Sequence, residues 1–322
     1  MLQIIPKRKI WLTISGVLMG ASIIALALWG LNFGIDFTGG SLLEVKFKAP
    51  RPDIEAVNSV LADLDLGSLI VQPVGESNMI LRFQDISEEK HQAVLARLDN
   101  LVSGAAAISS EQAATSTEAI GTSTTPVVLT GLEELRFDSV GPTIGQELKS
   151  RSLTAIVIVL LAIILYIAWA FRKVSKPVAS WKYGVAANIA LFHDVLITLG
   201  VFSVLGHFYG VEINSPFVAA ILTVLGYSVN DTIVVFDRIR ENLPKSDEDF
   251  EGTVNTSVNQ TITRSINTSL TTLLVLLAIL FFGGVTIRSF VLALSIGVFI
   301  GTYSSIFLAS PVLVVWEKMK KE

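Results

Sequence analysis

Long apolar runs broken by short polar connections make up most of the chain, and one long mixed segment interrupts them. A helix crossing the ~30 Å hydrocarbon core of a bilayer needs about 20 mostly apolar residues. Residues 10–31, 153–171, 183–205, 215–236, 266–282 and 290–316 each meet that length, so the pattern predicts six transmembrane helices. The last run is long enough to tilt, or to be broken at Pro311. Lys7, Arg8 and Lys9 in front of the first run and Ala25-Leu-Ala27 within it have the look of a secretory signal. The run is nevertheless longer than the roughly 7–15 residues of such a signal, which favours a retained anchor.

Between the first two runs the pattern changes from continuous to alternating. Residues 41–48 alternate apolar and polar positions as a half-buried strand does. Residues 52–64 carry Ile54, Val57, Val60, Leu61 and Leu64 at helical spacing behind Pro52. Residues 69–74 and 78–83 read as strands around Gly75-Glu-Ser77, a hairpin signal. A second helix opens at Ser87 and carries Val94, Leu95, Leu98 and Leu101, and residues 132–140 read as a last strand. Strand, helix, strand, strand, helix, strand is the order of a ferredoxin-like domain. The stretch 103–125, rich in Ala, Ser and Thr, reads as a flexible loop.

The fold class expected is therefore an α-helical polytopic membrane protein with one extracytoplasmic α+β, ferredoxin-like domain. Its divisions are 1–33 (N-terminus and first helix), 34–151 (outer domain), 152–316 (five-helix bundle with a cytoplasmic loop at 237–264) and 317–322 (tail). Composition agrees: 51% of the 322 residues are hydrophobic and 16% charged, against about 25% charged in soluble domains, and the mean hydropathy is +0.62. A net charge of −4 offers nucleic acid no basic surface. With no cysteine and three histidines, the sequence has no thiolate chemistry and no metal-ligand spacing, and no hydrolytic or redox motif stands out.

Basic residues set the expected orientation. Lys7, Arg8, Lys9, then Arg172, Lys173, Lys176, Lys182, then Arg238, Arg240, Lys245, Arg264, and finally Lys318, Lys320 and Lys321 fall on one side, with Arg288 opposite. Both termini are thus expected in the cytoplasm. Asp247, Glu248, Asp249 and Glu251 precede Val254, Val258 and Ile262, whose spacing predicts an amphipathic helix along the inner surface.

Polar residues inside the apolar runs carry the candidate chemistry, because an Asp at the centre of a membrane helix costs about 2.5–3.5 kcal/mol on insertion scales. His193 and Asp194 sit about 16 Å into the third run. Ser228, Asn230 and Asp231 sit in the fourth, with Asp231 roughly 7–8 Å from its cytoplasmic end. Arg264 opens the fifth, followed by Asn267 and Thr268. Asp231 and Arg264 enter at comparable depths and are expected to be within pairing reach. The arginine favours a charged carboxylate and burial a neutral one, so a carboxyl held between them can exchange protons. The other reading is a static clamp, with Arg264 snorkelling to the headgroups. Gly16 with Gly20, and Gly297 with Gly301, have the spacing of close helix packing. Gly34-Ile-Asp-Phe-Thr-Gly-Gly40, with Gly34, Asp36, Gly39 and Gly40 as its distinctive positions, reads from composition as a tight exit turn.

That turn motif, Gly226-Tyr-Ser-Val-Asn-Asp-Thr-Ile-Val-Val235, Phe236-Asp-Arg-Ile-Arg-Glu-Asn242, Thr263-Arg-Ser-Ile-Asn-Thr-Ser-Leu-Thr-Thr272 and Gly301-Thr-Tyr-Ser-Ser-Ile-Phe-Leu-Ala-Ser-Pro311 occur in this order. Over almost its whole length the chain thereby resembles the SecD/SecF family of protein-export membrane proteins, within the RND superfamily. The resemblance implies one half of an RND-type assembly, in the inner (plasma) membrane. It implies a partner subunit, SecD, with a similar six-helix unit, and association with the SecYEG channel and with YajC. It further implies use of the proton-motive force to help draw an unfolded preprotein outward, with protons as coupling ion and no cofactor. Asp231 and Arg264 match the family's proton path, and Asp194 lies in a familiar block. A scaffold that only stabilises the channel complex, or a small-molecule exporter of the same superfamily, are the alternatives.

Overall fold

The computed structural model describes residues 2–48, 50–107, 130–170, 179–284 and 287–319. They form two compact units, an α+β unit at Gly34–Lys149 and a helical unit from the remaining chain. Arg172, Lys173, Lys176, Lys320 and Lys321, invoked for orientation, lie outside the described residues.

In the α+β unit, a one-turn helix α2 (Ile35–Thr38) leads into β1 (Gly40–Phe47). Then come α3 (Ile54–Leu61), β2 (Ile70–Val74), β3 (Asn78–Phe83), α4 (Glu88–Ala107) and β4 (Leu132–Val140). The sheet is antiparallel throughout in the order β2-β3-β1-β4, the ferredoxin-like arrangement that the order of elements predicts. Leu43 faces Leu81 and Val45 faces Met79 across β1 and β3, and all four are fully buried. Val57 and Leu61 of α3 and Val94, Leu95 and Leu98 of α4 close over that face. The stretch expected to be a loop from residue 103 is helical as far as Ala107, because α4 runs on, and from 108 it lies outside the described residues.

The two glycines before β1 are required by geometry. Gly39 and Gly40 have φ of 75° and 113°, and a Cβ on Gly40 would stand 2.7 Å from the Phe83 carbonyl oxygen. Gly75, in the β2–β3 turn, has φ 60° with open space around it. Gly40→Ala should therefore lower the resistance of this unit to urea by at least about 2 kcal/mol, since backbone strain and a forced clash add. Gly75→Ala should lower it by only about 1 kcal/mol. Pulse proteolysis of the full chain across a urea series measures both.

The helical unit contains α1 (Arg8–Trp29), α5 (Pro142–Ala170, whose first turns belong to the other unit), α6 (Ser180–Tyr209), α7 (Ser215–Asn242), α8 (Phe250–Phe282) and α9 (Arg288–Ser304). A π-turn at Ser305–Ala309 then joins α9 to α10 (Ser310–Lys318). Together these make six helical rods long and apolar enough to cross a membrane. The last rod stays continuous from Arg288 to Lys318 and widens to π geometry just before Pro311. A proline lacks the amide hydrogen, and its ring collides with the carbonyl four residues back; widening one turn to π geometry relieves that collision.

Two packing expectations change. Val254 and Val258 are fully buried against the bundle, and Asp249 caps one continuous 33-residue helix by accepting from Gly252 N at 2.8 Å. No separate surface helix forms: α8 is about 50 Å long, so the fifth span runs on beyond the hydrocarbon. Gly297 and Gly301 do pack closely, and a Cβ there would lie 2.2 Å from Val224 and 2.9 Å from Ser228 of α7. Gly16 and Gly20 have nothing within 4 Å among the described residues. On α6 it is Gly200 that receives α1, at Ser22.

The extended base of α8 also holds the start of the chain. Ile4 and Ile5 are buried, and their amides both donate to Asn255 Oδ1 at 3.1 Å. Glu251 pairs with Arg8 and with Lys318, each at 2.5 Å. Asn255→Ala would leave two amides at a buried site without an acceptor, at about 1–3 kcal/mol each. Hydrogen exchange at Ile4 and Ile5 should accelerate by roughly tenfold or more, while that of β1 stays unchanged.

Candidate functional site

Asp194 lies on α6 and Asp231 on α7, both inside the membrane-length part of their helices. Asp194 is completely buried. Its Oδ1 accepts from His193 Nδ1 at 2.9 Å, and its Oδ2 accepts from Ser228 Oγ at 2.6 Å and from Ser304 Oγ at 2.8 Å. Asp231 is half-buried. Its Oδ1 accepts from Ser265 Oγ of α8 at 2.5 Å, and its Oδ2 accepts from Ser305 Oγ of the π-turn.

The helices determine these contacts. Gly301, having no side chain, lets α9 approach α7 at Ser228; three residues later the same rod delivers Ser304 to Asp194, and the next residue delivers Ser305 to Asp231. Ser228, three residues before Asp231 on α7, donates to Asp194 of α6. His193 is fully buried, with Nε2 lacking a hydrogen-bond partner among the described residues. Its ring lies 6.2 Å from that of Tyr303, whose hydroxyl donates to the Trp11 carbonyl at 3.1 Å and lies 3.2 Å from Ser15 Oγ. Tyr227 OH and Thr302 Oγ1 both donate to Ser269 Oγ, so α7, α8 and α9 are also joined one turn away.

Arg264 stands apart from this cluster. It is exposed on α8, next to Ser265, and forms no ion pair with Asp231 among the described residues. Its charge still acts on Asp231 through space. Asn230, Asn267 and Thr268 are exposed as well, so they line the outer surface of the bundle rather than supporting either carboxyl. Chemically, then, the cluster holds two carboxyls, one imidazole and a set of hydroxyls, and the surface beside it holds a cation and carboxamides. Ser265, Ser304 and Ser305 were not singled out from sequence. Their signal was their place within the Thr263–Thr272 and Gly301–Pro311 blocks, where a serine on an apolar rod looks no different from ordinary small-residue packing.

Gly34, Asp36, Gly39 and Gly40 belong to the other unit. Gly34 caps α2, Asp36 lies in its first turn, and Gly39 ends it. A Cβ on Gly39 would be 2.7 Å from Pro142 Cα, which gives the motif a structural duty at the entry to β1.

Comparison with known proteins agrees with this architecture. Residues 121–319 match the family described as "Protein export membrane protein SecD/SecF, C-terminal", and residues 25–50 match the SecD/SecF GG motif. The protein translocase subunit SecF of Thermobaculum terrenum is 42% identical, over 98% of this chain and 94% of that protein. SecF of Anaerolinea thermophila is 39% identical over the same shares. The crystal structure of SecDF, a translocon-associated membrane protein from Thermus thermophilus, superposes with a TM-score of 0.77 at 32% identity over 98% of this chain. This chain spans 39% of the length of that one. Sequence blocks, sheet order, helix count and near-full-length likeness converge: the chain belongs to the SecD/SecF family of protein-export membrane proteins.

Proposed function

We propose that this subunit of the translocase uses the proton-motive force to assist the late stage of preprotein translocation, and that Asp231 is its proton-exchanging group. The observation that carries the reading is a carboxyl inside a membrane helix that is met by hydroxyls rather than neutralised by direct contact with a cation. A hydroxyl can donate to a carboxylate and accept from a carboxylic acid, so both protonation states find a partner. Burial disfavours the charge by several kcal/mol, and two hydrogen bonds to it, at about 1.5–3 kcal/mol each, offset that by a similar amount. The membrane potential supplies about 2.3 kcal/mol per charge per 100 mV, enough to move such a balanced group between states.

In this reading the proton enters from outside, Asp231 becomes neutral, and its hold on Ser265 and Ser305 reorganises, shifting α8 and the α9–α10 rod against α7. Arg264 acts from the surface through its field and does not clamp the acid directly. Asp194 is a second proton-accepting group deeper in the bundle. The shift moves the outer domain, residues ~34–151, which holds and releases the emerging chain. Both termini and the 237–264 segment lie in the cytoplasm of a bacterial inner-membrane assembly.

The exposed polar residues support a partner of similar build. In lipid, polar groups within spans face protein or water, yet α7 exposes Thr223 and Asn230, and α8 exposes Arg264, Asn267, Thr268 and Thr271. A second six-helix unit, SecD, covers that face, and the pair works with SecYEG and YajC.

In inverted vesicles, Asp231→Asn should abolish the gradient-dependent part of preprotein export and leave the ATP-driven part; intact gradient dependence would leave only a scaffold. Replacing Asn230 and Asn267 together by Leu should reduce co-purification with SecD at least tenfold, whereas Leu274→Ala, at an exposed apolar position of α8, should leave it unchanged.

A further inference from the structure

Ser304 and Ser305 are neighbours in sequence, yet their hydroxyls reach carboxyls on two different helices. Each also has a second acceptor within reach. Ser304 Oγ lies 2.8 Å from Asp194 Oδ2 and 3.2 Å from the Gly301 carbonyl. Ser305 Oγ meets Asp231 Oδ2 and lies 3.1 Å from the Thr302 carbonyl. A serine hydroxyl carries one hydrogen, so each can serve only one acceptor at a time. Facing an ionised carboxylate, the hydrogen points at it. Facing a protonated carboxyl, it turns back to its own helix and the acid donates to the freed lone pair. A partner is kept either way, with donor and acceptor exchanged.

The surroundings make this pair of hydroxyls the link between the acids. Ser228, one helical turn before Asp231, donates to Asp194, so α7 already joins the two sites. Ser304 and Ser305 are fully buried, and the π-turn that Pro311 induces begins at Ser305, leaving α9 on one side of the pair and the turn on the other. The titratable and charged groups around the two carboxyls are His193 on α6, Arg264 on α8, acting through space, Tyr227 on α7 and Tyr303 on α9. None of these contacts both acids, whereas the Ser304–Ser305 unit does.

We infer that Ser304 and Ser305 are positioning residues that couple the protonation of Asp194 to that of Asp231, so that a proton held by one carboxyl favours the ionised form of the other. This rests on the proton-exchange reading of Asp231 and adds Asp194 as a linked store. When one acid gains a proton, its serine hydrogen turns to the helix carbonyl and one negative charge is lost from the cluster. The other acid, held by the neighbouring serine of the same rod, then ionises more easily. The coupling is electrostatic and is held at fixed geometry by the shared turn; strongly interacting sites of this kind titrate with values that belong to the pair.

The test is pH-difference infrared spectroscopy of the full chain in lipid nanodiscs, with Asp194→Asn and Asp231→Asn assigning each carboxyl band by its loss. Removing a donor makes one acid's charged form less favourable and relieves repulsion on the other. Ser304→Ala, which strips a contact from Asp194 alone, should therefore move the Asp194 and Asp231 bands in opposite senses along the pH axis, by about half a pH unit or more. Ser305→Ala should give the mirror image, and Thr at either position, which keeps the hydroxyl, should restore the native curves. If each alanine moves only the band of the acid it touches, or if the Asp194 band does not titrate, the coupling is wrong while proton exchange at Asp231 stands. If wild-type Asp231 shows no titrating band, the proton-exchange reading fails and the coupling fails with it.

Discussion

The helical unit is organised around carboxyls that its own hydroxyls keep soluble in an apolar interior. An ionised aspartate in such a place needs either a counter-charge or several donors. Asp194 takes three contacts, one from its neighbouring histidine and two from serines on other rods. Asp231 takes two, both from serines. The serine donors come from α7, α8, α9 and the π-turn, so satisfying the acids fixes how the rods meet. Gly297 and Gly301 follow from the same constraint, because any side chain there would hold α9 off and carry Ser304 out of reach.

Neutral donors suit a group that changes charge, where a cation would not. An arginine in contact with a buried carboxylate locks the charged state, and breaking such a pair typically costs 3–5 kcal/mol. A hydroxyl contact loses less on protonation, since the bond reverses rather than breaks. With Arg264 at the surface and serines at the carboxyl, the long-range field and the short-range contact are supplied by different residues. The cation can respond to whatever covers α8 without dragging the acid with it.

Most of the architecture was legible because its signals are periodic. Alternation at 41–48 and the hairpin signal between 69–74 and 78–83 marked strands, the split order marked their topology, and apolar length marked the spans. Failures came where one pattern admits two geometries. Val254, Val258 and Ile262 have the spacing of a surface helix and equally of a helix buried along one stripe; contact with Ile4, Ile5 and the bundle selects the second. Gly16 and Gly20 share their spacing with Gly297 and Gly301, but only the latter meet a neighbour within this chain. At the site, Asp194, Asp231 and His193 stood out because ionisable groups are rare in membrane helices. Ser265, Ser304 and Ser305 did not, since serine is common on such helices and its role depends on which rod it faces.

Pro311 ties these threads together. Its ring forbids ordinary α-helix over the preceding turn, and the π geometry adopted there has one more residue per hydrogen-bonded ring than an α-turn. The side chains on either side of that insertion are consequently offset relative to a regular helix. That offset is what allows α9 to keep Gly297 and Gly301 against α7 while α10 keeps Leu313 and Val314 in the bundle core. The break expected at the proline is thus a register change that lets a single rod satisfy the acid cluster and the core beyond it. The insertion begins at Ser305, the serine that holds Asp231, so the change of register and the contact with the acid fall at one residue.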